Sequence, residues 1–267
     1  MTLTSQLPLP SELEQYRTVL EPTIQSFIRI TTATRPTTLF ESKFTGDPYY
    51  PKAMSYPTND NGQPLSLLAQ INFADVPKQI PNFPQEGILQ FFIDSHDDVY
   101  GLNFDNQLGQ TSFRIVYHEH VEPDVSKLIT DFSFILTSNT EQYLPVEKEM
   151  ALTFETNYEW MSLGDFRFQK TFPQLLDTFY NNDNLFDLAH DHLAGTGHKL
   201  GGYPFFTQED PRIYKEEFQA HKVLLLQIDS EGNDILWGDC GVGNFFITEE
   251  DLRKKDFSKV IYNWDCS

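Results

Sequence analysis

The chain has 267 residues, with 19 Lys plus Arg against 39 Asp plus Glu and a formal net charge of -20. At 39% hydrophobic and 14% aromatic residues it carries enough apolar material for a buried core, which excludes a disordered chain. A negative field of this size repels nucleic acid and anionic membrane surfaces, so the expected partner is a basic protein.

No charged start followed by a continuous apolar run opens the sequence, and nothing approaches the ~20 apolar residues of a membrane span. A cytoplasmic location is expected. Cys240 and Cys266 are too few for a disulfide framework. In chain order, Ser11-x-x-Glu14 after Pro8 and Pro10 reads as a capping box. Leu13, Tyr16, Val19 and Leu20, then Ile24, Phe27 and Ile28, predict a helical arm over 1–37 that ends at Arg35-Pro36.

Residues 38–122 open with a Pro- and Gly-rich stretch, read as extended loop with short strands. In the following strand, alternation puts Leu67, Ala69, Ile71 and Phe73 on one face and Leu68, Gln70 and Asn72 on the other. Strands are predicted over 88–93 and 113–117. Residues 123–193 change character and read as a mostly helical insert. Asp124 caps a helix carrying Val125, Leu128, Ile129, Phe132, Ile135 and Leu136, and Pro173 opens another that buries Leu175, Leu176, Phe179 and Tyr180. A short helix over 185–193 stops at Gly195, while 150–160 is ambiguous between helix and strand. In residues 194–267, Leu224, Leu226 and Ile228 share one strand face and Leu225, Gln227 and Asp229 the other. A turn at Glu231-Gly232-Asn233, a short strand over 235–237 and a strand over 245–247 follow.

The stretch 42–93 is written a second time at 198–247. Lys43 recurs as Lys199, Gln70 as Gln227 and Phe91 as Phe245, in the same order and all about 155 residues apart. Closely joined strands favour antiparallel pairing. The expected fold is α+β: one compact domain of two related, mainly antiparallel β units, repeat A at 38–122 and repeat B at 194–267. The arm at 1–37 and the insert at 123–193 complete it.

The blocks SKFTGDPYYP, GQPLSLLAQINF, GILQFF, KLGGYPFFTQ, LLLQIDS, ILWGDCGVGNFFI and the terminal WDCS together resemble the YwqG family of uncharacterised bacterial proteins. The resemblance covers nearly the whole chain. It implies no activity and no list of site residues.

Candidate chemistry therefore comes from the residues. Trp237 and Asp239, with Gly241 and Gly243 behind them, belong to repeat B alone; they read as a ligand platform or as a tight turn with a core indole. Gln70, Asn72, Gln227 and Asp229 share polar strand faces that line a groove between repeats, or satisfy backbone groups at their junction. Lys43 and Lys199 occupy matching positions, as an anion site or as ordinary solvated lysines. Gly195 to Gly202 lacks the third glycine of a dinucleotide loop, and no P-loop is present, so no cofactor is expected. His190, His192 and His198, or His118 and His120, match no metal-ligand spacing. No catalytic residues are recognisable. The expected function is a non-enzymatic binding protein for a protein or peptide partner, through an acidic surface or the groove between repeats. The alternative is a hydrolase using Asp229 and Asp239 near Trp237.

Overall fold

A computed structural model describes residues 7–78, 80–135 and 142–267. The N-terminal segment winds through 3-10 turns at Glu14–Tyr16 and Glu21–Thr23 around α1 (Arg17–Leu20), then enters strand β1 (Gln25–Thr34). The helical arm expected over 1–37 is thereby corrected. Ile28, Ile30, Thr31, Thr32 and Thr34 are β-branched and suit a pleated surface better than a helix. Nor does the capping box form, because Ser11 Oγ donates to Glu12 and Glu14 pairs with Arg17.

The chain continues through β2 (Lys43–Phe44), β3 (Ser66–Asn72), β4 (Ile88–Ile93) and β5 (Phe113–His118). The helix expected from Val125 onward shrinks to a 3-10 turn at Val125–Lys127, with Asp124 accepting from the Ser126 amide. Its apolar side chains have the right period but different destinations. Leu128 packs with Tyr49 and Ile88, Phe132 with Tyr50 and Phe92, and the Ile129 amide donates to Tyr50 O. Leu136 lies outside the described residues.

The ambiguous stretch is a strand, β6 (Met150–Glu159), followed by α2 (Phe166–Thr171), α3 (Pro173–Tyr180) and α4 (Asp183–His192). Pro173 opens α3 as expected, but Tyr180 is exposed. The chain ends with β7 (Lys199–Gly201), β8 (Val223–Asp229), β9 (Val242–Ile247), α5 (Glu249–Lys254) and β10 (Ile261–Asp265). Where a strand was expected over 235–237, only Ile235 bridges, to Glu231 and Val146. Helix α5 was not anticipated, although Thr248 caps it and its first turn is acidic.

All ten strands join one sheet in the order β10-β9-β8-β7-β1-β6-β2-β3-β4-β5, with every neighbouring pair antiparallel. The sheet curls into a nearly closed barrel. Phe91 on β4 meets Phe245 on β9 with ring centroids 4.9 Å apart, and Phe113 on β5 meets Tyr262 on β10 at 5.3 Å. Those strands stand at opposite ends of the order, so the contact requires their inner faces to turn toward each other. The β4–β5 loop spans the remaining gap. Val99 O accepts from Trp264 Nε1 and Tyr100 O from the Tyr262 hydroxyl.

Simple alternation fails once in each half. The register slips between Leu67 and Ala69 and again between Leu224 and Leu226. Leu68 and Leu225 therefore join the barrel core, whereas Leu67 and Leu224 pack in separate outer clusters. Outside the barrel, α2, α3 and α4 bury Phe168, Leu176, Phe179 and Ala189 with Leu13, Leu20 and Trp160. Among the described residues no helix is long and apolar enough to cross a membrane.

Candidate functional site

Gln70 and Gln227 are fully buried, each opposite a lysine: Lys43 pairs with Gln70 and Lys199 with Gln227. Gln70 Nε2 donates to Leu39 O and Glu41 O, and its Oε1 accepts from the Tyr49 amide at 2.8 Å. Gln227 Nε2 donates to Gly195 O and Gly197 O, and its Oε1 accepts from the Phe205 amide at 2.8 Å. Both side chains are consumed in pinning an incoming loop. Asn72 likewise donates to Phe40 O and accepts from the Ala74 amide.

Gln90 extends the first network by donating to Tyr49 O and Gln70 Oε1, which leaves its Oε1 to accept from His118 Nε2 at 2.8 Å. Burial holds the His118 pKa down at about 4, so the ring stays neutral. An unfolded chain would take up that proton near its ordinary pKa of ~6.5. The stabilising effect is thus complete above ~6.5 and is lost as the pH falls toward 4, an expected loss of about 2–3 kcal/mol from this group. Urea unfolding at pH 7 and pH 4.5 measures it. A His118→Gln variant should lose that part of the pH slope; an unchanged slope would refute the assignment.

The two lysines are not solvated, which corrects the ordinary expectation. Both are fully buried. Lys43 Nζ donates to Thr38 O at 2.7 Å and Asp47 O at 2.8 Å, with Glu149 4.0 Å away. Lys199 Nζ bonds Glu159 at 2.8 Å and lies over the Phe27 ring. Burial lowers both pKa values, that of Lys43 to about 8. Neither ammonium is presented to a ligand.

Trp237 offers no platform either. Its ring is fully buried against Tyr100, Tyr262 and Trp264, and Gly243 leaves the space that the indole fills. Asp239 sits nearby in an exposed turn closed by the Gly241 amide on Trp237 O.

Asp229 borders an open cleft. With Arg29, Thr31, Gly197, His198 and Glu231 it borders a space of about 220 Å³ beside the middle of the sheet. The site exists because β1 pairs with β7, setting Arg29 opposite Lys199. The Asp229 amide donates to His198 Nδ1 at 3.0 Å, which makes Nε2 the protonated nitrogen. That Nε2 lies 3.2 Å from Glu231 Oε2, which also accepts from the Thr32 hydroxyl at 2.9 Å. Burial lowers the His198 pKa against the pull of Glu231 and Asp229. Asp229 itself accepts the Gly197 amide at 2.7 Å and the Ser230 amide at 2.9 Å.

With both ring nitrogens engaged, His198 has no free lone pair for general-base work. The Ser230 hydroxyl is also committed, donating to Gly241 O and accepting from the Trp237 amide. The cleft is thus bordered by polar groups whose hydrogen bonds are largely made within the chain. Arg29 and Glu231 were invisible as site residues because one was read as helix and the other as turn. His198 was weighed only as a metal ligand. Among the described residues no three His, Cys, Asp or Glu side chains are grouped to hold a metal ion.

Residues 42–266 match the family described as a domain of unknown function, DUF1963, and the chain belongs to that family. No curated protein matches the chain significantly.

Proposed function

We propose that this DUF1963 member is a non-enzymatic binding protein that holds a basic protein or peptide partner through its acidic exterior. One observation carries the reading: the carboxylates stay at the surface, where several of the exposed cations are already paired with one. Lys43, Lys199 and Arg212 are fully buried. Arg17, Arg35, Lys127, Lys148, Lys254 and Lys255 are each tied to a neighbouring carboxylate. Among the described residues only Asp94, Asp165, Asp210 and Asp265 of the acidic side chains are buried, so the exterior keeps the acidic balance of the composition. Such a field steers oppositely charged partners and weakens with salt.

The immobilised protein should retain basic proteins from a native lysate at about 50 mM salt and release them at about 500 mM. Retention of no basic protein at low salt would overturn the reading. The hydrolase alternative has less support, since the Asp229 carboxylate is occupied by amides and Asp239 shares no described cleft with it.

We also read the chain as one compact domain of two related β units, cytoplasmic, and kin to the YwqG family. Support for the duplication lies in the matched lysine–glutamine pairs, the matched loops held by Gln70 and Gln227, and the two bulges at equivalent places. Superposing the backbone of 43–93 on 199–247 tests it; segments that fail to overlay would rule it out.

A further inference from the structure

We infer that the cleft between α3, α4 and the loop after β7 receives a lysine or arginine side chain of the basic partner, an inference that rests on the binding function just proposed. The cleft holds about 210 Å³ and is bordered by Leu176, Tyr180, Phe186, His190, Phe205 and Phe206 among others. Small-molecule pockets usually span ~300–1,000 Å³, so this one has room for a single side chain.

Its distinguishing feature is aromatic. Tyr180 and Phe186 stack with centroids 5.3 Å apart and 26° between planes, and the His190 ring lies 6.0 Å beyond Phe186. A ring face carries negative charge density and attracts a cation within ~6 Å of its centroid. Neighbouring rings already have such a cation from within the chain: Arg17 over Trp160, Arg167 over Tyr203, Arg212 over Phe166 and Phe246. Among the described residues no lysine or arginine borders this cleft. Tyr180 is nonetheless 62% exposed, a large ring held at the surface.

Charge favours the same occupant. Asp183, Asp187 and Asp191 recur every fourth residue along α4, so they run beside the face that carries Phe186 and His190. All three are exposed. The rim polar groups are spent internally, since Gln208 donates to Cys266 O and Thr207 to Asp265. What the cleft offers an incoming side chain is therefore the exposed ring of Tyr180, stacked on Phe186 beside a row of carboxylates, which selects a cation over a neutral group.

Fluorescence anisotropy with labelled octa-arginine and the full-length protein at low salt tests this, with an octa-citrulline peptide of the same shape as the uncharged control. The wild type should bind the arginine peptide and not the citrulline one. Tyr180→Ala with Phe186→Ala should weaken binding roughly three- to thirtyfold, while Tyr180→Phe, which keeps the ring, should bind as the wild type does. Circular dichroism checks the fold; if the double variant unfolds, Tyr180→Ala alone is read, because that ring is exposed. No binding by the wild type would overturn the binding function itself. Undiminished binding by the alanine variants would overturn only the cleft, as would a Tyr180→Phe loss equal to that of Tyr180→Ala.

Discussion

Arg212→Met should cost the fold roughly 3–5 kcal/mol, because it strands the Asp210 carboxylate in the interior and leaves Asp165 to Arg167 alone. Arg212 is fully buried, and its Nε and Nη2 reach Asp210 at 2.9 and 2.7 Å. Nη2 also reaches Asp165 at 3.3 Å, and Nη1 donates to His221 O at 2.9 Å. Its guanidinium sits 4.0 Å from the Phe246 ring centroid. Burial alone would push the Asp165 carboxyl up, yet the hydrogen bond from Arg167 and the Arg212 charge bring it below its ordinary range. Remove the guanidinium, and Arg167 alone is left to hold it there.

The same carboxylates do structural work that the variant would lose. Asp165 accepts from the Arg167 amide at the start of α2, and Asp210 accepts from the Phe166 amide. One guanidinium thus joins the helical layer to the outer face of β9. Lysine should not rescue the site, since a point charge cannot match the fork that reaches Asp210 and Asp165 together. Denaturant unfolding reads the loss directly, and a change under ~1 kcal/mol would contradict this account. Adding Asp210→Asn to Arg212→Met should recover part of it, because the carboxylate that lost its cation is then neutral while Asp165 keeps Arg167.

Trp237→Ala is expected to cost about 3–5 kcal/mol by opening a cavity in the barrel. The ring lies wholly inside, with Tyr100 edge-on at 5.7 Å and Trp264 at 6.1 Å between centroids. Gly243 adds to the constraint, since a side chain there would collide with the indole. The cavity cannot close easily, because the β4–β5 loop and β10 are held by their own hydrogen bonds. This variant also separates two roles for the residue. A core indole predicts lost stability with octa-arginine binding unchanged; a ligand platform predicts the reverse. Thermal unfolding and peptide titration of the folded variant decide between them.

Much of the fold was legible. Strands β3, β4, β5, β8 and β9 follow from short β-branched and aromatic runs bounded by Gly and Pro, α3 from helical spacing with a proline start, and α4 from a short helical run stopped before Gly195. The candidate site was legible only in part. Asp229 was visible as a carboxylate at a strand end, but Arg29, which borders the same cleft, lies about 200 residues earlier in the sequence.

The order of residues by itself determined the acidity, the apolar runs and the recurrence of Lys43 and Gln70 as Lys199 and Gln227, all of which are local or countable. Tertiary structure alone decided that Gln25–Thr34 is a strand at the middle of the sheet, that Lys43 and Lys199 are buried, and that Trp237 is core. A lysine can be buried only where a carbonyl or carboxylate from elsewhere in the chain meets its ammonium. For Lys199 that group is Glu159, 40 residues upstream, and no local pattern records it.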